Sequence, residues 1–389
     1  MADRKLKFGI IGYGTEGSMY GKFISEGMVE NVEVVAVCDI DKEKLEKAKE
    51  VFPEAKLYED YKEMIDSGEV EGIVTCVPHY LHPEMAIYGL THGVNVLNEK
   101  PAGVYTKQVK ELNEVAEKSD KAYALFFNQR TNPLYRKLKE ILDSGELGPI
   151  RRTNWIITTW WRPDAYYKQS DWRATWGGEG GGVLVNQAPH QLDLIQWMTG
   201  APDRVYSSVQ YGYQRDIVVD DQVHFVMEYD DGRTGVFVTG TNEIIGTDRL
   251  EIVCDGGKIV VDDSKKATIY RLKETENDLN ARMTIDDVKM LFAGQMKMDD
   301  LFETEVIEEN SVWGRQHCEV LRNFAAHVLD GEELLANGAE GINGVRLANA
   351  VHLSSWLGKP VSVKDFDDDL YLELLNEKIK EEGKFEERK

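Results

Sequence analysis

Three groups of residues in this sequence could do chemistry by their types and spacing. The first is Gly12-Tyr13-Gly14-Thr15-Glu16-Gly17, which follows the apolar run 7–11 and precedes a helix expected at about 15–28. A glycine triplet alone also occurs in ordinary turns. Here a strand stands before it and a helix after it. An acid, Asp39, lies 22 residues beyond Gly17, at the end of a second strand at 32–38. In that setting Gly12 permits the tight turn, Gly14 lets backbone amides approach a pyrophosphate, and Gly17 lets helix and strand pack closely. The helix start adds free N–H groups and partial positive charge. Asp39 can accept hydrogen bonds from ribose hydroxyls and would repel a 2′-phosphate. The residues that follow, Ile40, Asp41 and Lys42, place no cation directly beside it. The expected cofactor is NAD rather than NADP.

The second group is aromatic. Trp155, Trp160, Trp161, Trp172 and Trp176 are five of the eight tryptophans, with Tyr166 and Tyr167 among them. Aromatic faces together with Arg162 and Arg173 suit a carbohydrate ring, although buried tryptophan also packs cores. The third group is Gly177-Gly178-Glu179-Gly180-Gly181-Gly182, followed by Asn186, Pro189, His190 and Asp193. Five glycines in six would let backbone pass close to a ligand. Pro189 fits only the first turn of a helix, so a helix should begin near 186–188. Asn186, His190 and Asp193 would then share one face. An imidazole near a helix N-terminus is disfavoured as imidazolium, and a neutral imidazole can take a hydroxyl proton. Each residue has a plainer alternative. Asn186 could be an N-cap, Asp193 a helix-start or core ion-pair residue, and His190 a satisfied core histidine.

The elements that must position these residues alternate through the first 127 positions. Helices are expected at 43–51, 83–91 and 106–118, and strands at 70–77, 94–97 and 122–127. Strands alternating with helices imply a doubly wound parallel sheet with ligands at the strand C-terminal ends. Pro78-His79 and Glu99-Lys100-Pro101 sit at such ends. After a helix at 134–143 and a probable boundary at Gly148-Pro149, the pattern changes. Strands at 150–160, 204–211, 223–229, 233–241, 248–254 and 257–261 are joined by turns such as Asp230-Asp231-Gly232. These are hairpin signals and predict an antiparallel sheet. Helices return at about 314–330 and 340–357, and a charged, helix-prone tail spans 370–389 that could dock or remain mobile.

Composition excludes several classes. The 389 residues carry 46 Lys+Arg and 69 Asp+Glu, a formal charge of −23. Such a chain lacks the basic face that nucleic acid requires, and an anionic membrane surface would repel it. No apolar run approaches the roughly 20 residues of a spanning helix, and the N-terminus has no signal-peptide core. The four cysteines, Cys38, Cys76, Cys254 and Cys318, lie far apart without a CxxC, which argues against a disulfide framework or a bound metal. The expectation is a soluble cytoplasmic protein.

Taken together, the glycine loop, Glu99-Lys100-Pro101, the glycine run and the Asn186…His190…Asp193 segment resemble the glucose–fructose oxidoreductase / inositol dehydrogenase (Gfo/Idh/MocA) family over nearly the whole chain, to about residue 363. The resemblance implies an α/β fold: a Rossmann domain (1–127), then an α+β domain with a large, mostly antiparallel sheet (128–363) whose C-terminal helix packs back, with 364–389 as a charged extension. It implies a homo-oligomer built through that sheet. Lys100 and His190 become the catalytic residues. Gly12, Tyr13, Gly14, Thr15, Glu16, Gly17, Asp39, Ile40, Pro78, His79, His82, Glu99, Lys100 and Asn128 become cofactor-binding. Arg130, Tyr167, Arg173, Trp176, Asn186 and His190 become substrate-binding. Many relatives carry Asp where this chain has Asn186, and Asn cannot supply negative charge to the histidine. The implied activity is NAD-dependent oxidation of a ring secondary alcohol on a sugar, a glycoside (at C3) or an inositol. A family route that uses NAD transiently to cleave a glycosidic bond, and a non-catalytic sensor of NAD or sugar, are the alternatives.

Overall fold

Short buried strands flanked by polar helices build the first half of the chain. A computed structural model describes residues 4–309 and 312–389. Six strands, β1 (Leu6–Ile11), β2 (Val32–Cys38), β3 (Lys56–Tyr58), β4 (Gly72–Thr75), β5 (Asn95–Asn98) and β6 (Tyr123–Leu125), form one parallel sheet in the order β3-β2-β1-β4-β5-β6. β4 is buried along its whole length and β1 at all but one position, as expected for strands covered by helices on both faces. The order reverses between β1 and β4. At that switch point the carboxyl ends of the strands border a crevice. Gly12 leaves β1 there with φ +87°, and a Cβ on it would lie 2.2 Å from the carbonyl oxygen of Cys76, just past β4. Only glycine makes that turn without a clash.

The second half forms a nine-stranded sheet. Its strands are β7 (Ile150–Ile157), β8 (Arg204–Tyr211), β9 (Asp220–Glu228), β10 (Thr234–Gly240), β11 (Asp248–Cys254), β12 (Gly257–Asp262), β13 (Lys266–Leu272), β14 (Phe302–Glu308) and β15 (Val361–Ser362), in the order β14-β13-β12-β11-β7-β10-β9-β8-β15. All neighbours are antiparallel except β7 and β10, which run parallel. Trp155 on β7 stands between Phe237 on β10 and Leu250 on β11, and all three are fully buried. Helices Pro189–Thr199 and Gly341–Leu357 share this core. β13 and β14 were not anticipated. The side chains of β14 are nearly all exposed, so its polar sequence carries little apolar signal.

One feature differs from the domain division expected from sequence, and a second settles a choice that the sequence left open. Helix Arg315–Asp330 returns to the first domain. Its Cys318, Val320, Leu321 and Phe324 join the core of Leu6, Phe8 and Ile10, and the Leu125 amide donates to the Ala336 carbonyl at 3.3 Å. The assignment of all of 128–363 to one domain is therefore corrected: 315–336 completes the first. The tail, in turn, is docked. Helix Asp368–Glu382 buries Tyr371, Leu372, Leu375 and Ile379. The Glu382 carboxylate accepts from the Trp176 and Gly177 amides at 2.5 and 2.9 Å, and the Arg388 guanidinium lies 4.0 Å over the Tyr80 ring. The tail thus bridges the glycine run and the first domain.

Asp220, at the start of β9, organises the end of that run. It accepts from the Gly182 and Leu184 amides at 2.6 and 2.8 Å and pairs with His352 at 2.9 Å, with both side chains fully buried. A Cβ on Gly182 would lie 2.0 Å from the Asp220 carbonyl oxygen. Gly182→Ala is expected to destabilise the fold by about 1–3 kcal/mol through this overpacking, read as a lowered midpoint in denaturant unfolding. An unchanged midpoint would show that the turn can move aside.

Candidate active site

The chain leaves β5 at Asn98 and turns at Glu99-Lys100-Pro101, with a cis peptide bond before the proline. Glu99 is buried. It accepts from the Lys100 amide at 2.9 Å and from the Tyr20 hydroxyl, and burial raises its carboxyl to about 7. The Lys100 side chain crosses to the second domain, where Nζ donates to the Asn186 carbonyl at 3.1 Å. That bond uses one of the three donors of an ammonium.

Four imidazoles share the Lys100 environment. Burial first, and the Lys100 and His317 charges second, hold His190 well below its usual value. His79 is depressed likewise, by burial, then His82 and Lys100. Burial brings His82 and His317 down to about 4, with Lys100 pushing in the same direction. All four rings are therefore neutral at pH 7. His190 is the second residue of helix Pro189–Thr199, and its Nδ1 is buried with no partner among the described residues. His317, on helix Arg315–Asp330, accepts at Nε2 from Asn128 Nδ2 at 3.0 Å. Its Nδ1 and the Asn128 Oδ1 are also buried without partners. Sequence reasoning missed His317. It lies in no motif, and only the return of its helix to the first domain brings it here.

The cofactor side fits NAD. Helix Thr15–Ser25 begins after Gly14 without a side-chain cap, and the space beside the Gly14 Cα is open. Thr15 and Glu16 are exposed at this start, while Tyr13 and Gly17 are buried beneath it. The Asp39 carboxylate is fixed by the Tyr13 and Asp41 amides at 2.7 and 2.9 Å. Ile40 next to it is 89% exposed, an apolar surface that a flat base can cover. Uncapped amides, an oriented acid and an open apolar neighbour match pyrophosphate, ribose and adenine in turn. Pro78 and His79 follow β4 toward the same crevice.

Several expected roles are corrected. Arg130 is not free for substrate: it is 4% exposed and bound bidentately to Asp193 at 2.8 and 2.6 Å, with Glu340 at 2.8 Å. Asp193 is thereby consumed as an ion pair. Trp176 is a core residue, 3% exposed, with its indole N–H on the Val218 carbonyl and its ring against Tyr211, His352 and Trp356. His82 lies buried between two carbonyls, with Nδ1 2.7 Å from Pro101 O and Nε2 2.8 Å from Val77 O. The single N–H of the neutral ring can donate to only one of these carbonyls, and the ring is enclosed between the two loops rather than lining a ribose. The glycine run meets protein rather than ligand: Gly177 packs on Phe385, Gly180 on Val104 and Gly182 on Asp220. Asn186 precedes the helix, in a turn closed by its amide on the Gly182 carbonyl at 3.0 Å, so the expected shared helical face does not form. Tyr167 is half-buried, its hydroxyl 3.0 Å from Thr241 Oγ1. Arg173 stacks on Tyr166 and Trp172 and donates to the Tyr166 hydroxyl at 2.8 Å.

The depressed imidazoles link the site to stability. His82 is near 4 when folded and about 6.5 when unfolded. As pH falls from 6.5 toward 4, the unfolded chain takes up a proton that the folded chain refuses, so stability present above 6.5 is lost in that window. The full loss is on the order of 3 kcal/mol. His82→Gln lacks this term. Its stability deficit relative to wild type is expected to narrow as pH falls from 7 to 4.5, followed by thermal unfolding at each pH. A constant deficit would mean that His82 is protonated in the fold.

Comparison with known proteins identifies the family. Residues 6–127 match the NAD-binding Rossmann fold of the GFO/IDH/MocA oxidoreductase family, and residues 135–260 match its C-terminal domain. Myo-inositol 2-dehydrogenase of Thermotoga maritima is 24% identical over 288 residues, covering 71% of this chain and 81% of that protein. Inositol 2-dehydrogenase of Salmonella typhimurium is 34% identical over 145 residues, 37% of this chain and 43% of that one. A levoglucosan dehydrogenase solved with NADH and L-sorbose superposes with a TM-score of 0.78 at 17% identity, covering 93% of this chain and 99% of that chain. WlbA dehydrogenase of Chromobacterium violaceum, solved with NADH and UDP-GlcNAcA, gives 0.75 at 23% identity, covering 93% and 97%. The two domain matches together span more than half of the sequence, and the chain belongs to the GFO/IDH/MocA family of NAD-binding oxidoreductases.

Proposed function

We propose that this enzyme oxidises a ring secondary alcohol of a sugar, a glycoside (at C3) or an inositol. The observation that carries this reading is the Lys100 ammonium, held by the Asn186 carbonyl between the two domains and surrounded by neutral imidazoles. A substrate hydroxyl beside Lys100 meets a hydrogen-bond donor for its oxygen and, in neutral His190, an acceptor for its proton. As the C–H bond breaks, Lys100 stabilises the developing alkoxide charge. His190 takes the proton, directly or through a water, and holds it away from the oxygen. Bound NAD supplies the hydride acceptor. The substrate class is supported by similarity to dehydrogenases of inositol and of levoglucosan.

Assembly through the nine-stranded sheet belongs to the same reading. Ile156, Tyr206, Val226 and Val236 expose 39–49% of their surface there. None of the helices in the described residues is long and apolar enough to cross a membrane.

NADH absorbance with cyclitols, free sugars and alkyl or aryl glycosides tests the reading, with keto-sugar and released sugar followed chromatographically. NADH formed with one class identifies the substrate; sugar released without NADH would favour the oxidation–elimination route. Lys100→Ala is expected to lower kcat by about 10³-fold or more while NAD still binds, which fluorescence titration checks. Near-normal turnover in that variant would remove lysine from the mechanism.

A further inference from the structure

Glu179 lies in the middle of the glycine run, 2% exposed, and takes no part in the proton or hydride steps above. Its contacts are specific. Oε2 accepts from the Ala174 amide at 2.7 Å, and Oε1 accepts from Asn186 Nδ2. Arg173 Nη1 lies 3.7 Å from the same Oε1, and the Glu179 carbonyl faces His79 Nδ1 at 3.1 Å. Asn186 is the residue whose carbonyl anchors the Lys100 ammonium. Its side chain is half-buried, with the Tyr166 hydroxyl 3.3 Å from Nδ2.

A side-chain amide has a donor end and an acceptor end. Each Glu179 oxygen faces a donor, the Ala174 amide at Oε2 and the Arg173 guanidinium beside Oε1, so Oε1 serves as an acceptor and claims the donor end. Among the described residues no donor is bonded to Asn186 Oδ1. We propose that Glu179 is a positioning residue that locks the Asn186 amide with Oδ1 toward the substrate, so that the site accepts a hydrogen bond from a hydroxyl neighbouring the reacting carbon. The inference rests on the polyol-dehydrogenase reading and deepens it: the preferred substrate carries a free vicinal hydroxyl, and a deoxy analogue at that position binds poorly. The geometry also excludes Asn186 as a donor to substrate, because both of its donor contacts are spent on Glu179 and Tyr166.

Exchanging the two side chains tests this. In Glu179→Gln the Ala174 amide still requires an acceptor, which orients the Gln Oε1 toward it and the Gln Nε2 toward residue 186. Asn186 must then turn over and present its donor end. The expected result is a substrate KM raised about tenfold or more, with kcat and the KM for NAD⁺ little changed. In the double variant Glu179→Gln/Asn186→Asp, the new carboxylate accepts from the Gln Nε2 and again offers an acceptor to substrate. KM is expected to return to within about threefold of wild type. Asn186→Asp alone sets two carboxylates together and is expected to be worse than the double variant, so the rescue is measurable even if Glu179→Gln is poorly folded. A substrate KM unchanged in Glu179→Gln, or a double variant no better than either single one, would overturn the proposal. Should wild type oxidise no polyol, the dehydrogenase reading fails separately. The lock is then decided by the side-chain ¹H–¹⁵N resonance of Asn186: slow amide exchange in wild type that is lost in Glu179→Gln supports it, and fast exchange in both overturns it.

Discussion

The hydrogen bond from Lys100 Nζ to the Asn186 carbonyl joins the two halves of this protein, and the site depends on it. Lys100 comes from the loop after β5 of the parallel sheet. Asn186 comes from the turn before the helix that carries His190. Each partner would be unremarkable within its own domain. Together they hold an ammonium among groups that burial keeps uncharged, where its field is screened less than at the surface.

That environment explains the protonation pattern. Four imidazoles are depressed, each by burial first, and two carboxyls, Glu99 and Glu179, are raised to about 7 by burial. Both directions follow from one cause: a low-dielectric site disfavours the charged form of either sign. The proposed alkoxide-forming step would benefit from this arrangement. Charge developing in the reaction finds a fixed cation and few competing charges.

The scaffolding around the site is mostly ionic or backbone-mediated. Arg130 and Asp193 hold the Asn128 turn to the His190 helix, Asp220 and His352 hold the end of the glycine run, and Glu382 with Arg388 hold its beginning. Such buried pairs contribute little net stability compared with well-packed apolar groups, but removing one partner is costly. Their effect here is to fix loop positions. Arg130 and Trp176 were expected at the ligand, and each is instead part of this support, while Asp193 takes the core ion-pair role that the sequence had left open. Residue type could not separate the two roles. A buried ion pair and a ligand clamp use the same arginine, and a core indole and a sugar platform use the same tryptophan.

The sequence by itself determined the parallel sheet, the glycine turn, the acid at the end of β2, and the positions of Lys100 and His190 along the chain. These are local matters, set by short apolar runs, glycine spacing and proline placement, which act over a few residues. The Gly12 turn is legible because only glycine tolerates the approach to Cys76. Tertiary structure decided what those residues meet. The return of helix Arg315–Asp330 to the first domain brings His317 to Asn128 across 189 residues of sequence. The Asn186 turn, formed before the helix rather than within it, sets the side chain against Glu179 and the carbonyl against Lys100. Contacts between residues far apart in sequence are fixed by which surfaces pack together, and no local pattern encodes them. The glycines were visible, but whether they approach a ligand or a neighbouring chain depended on Phe385, Val104 and Asp220 arriving from elsewhere in the fold.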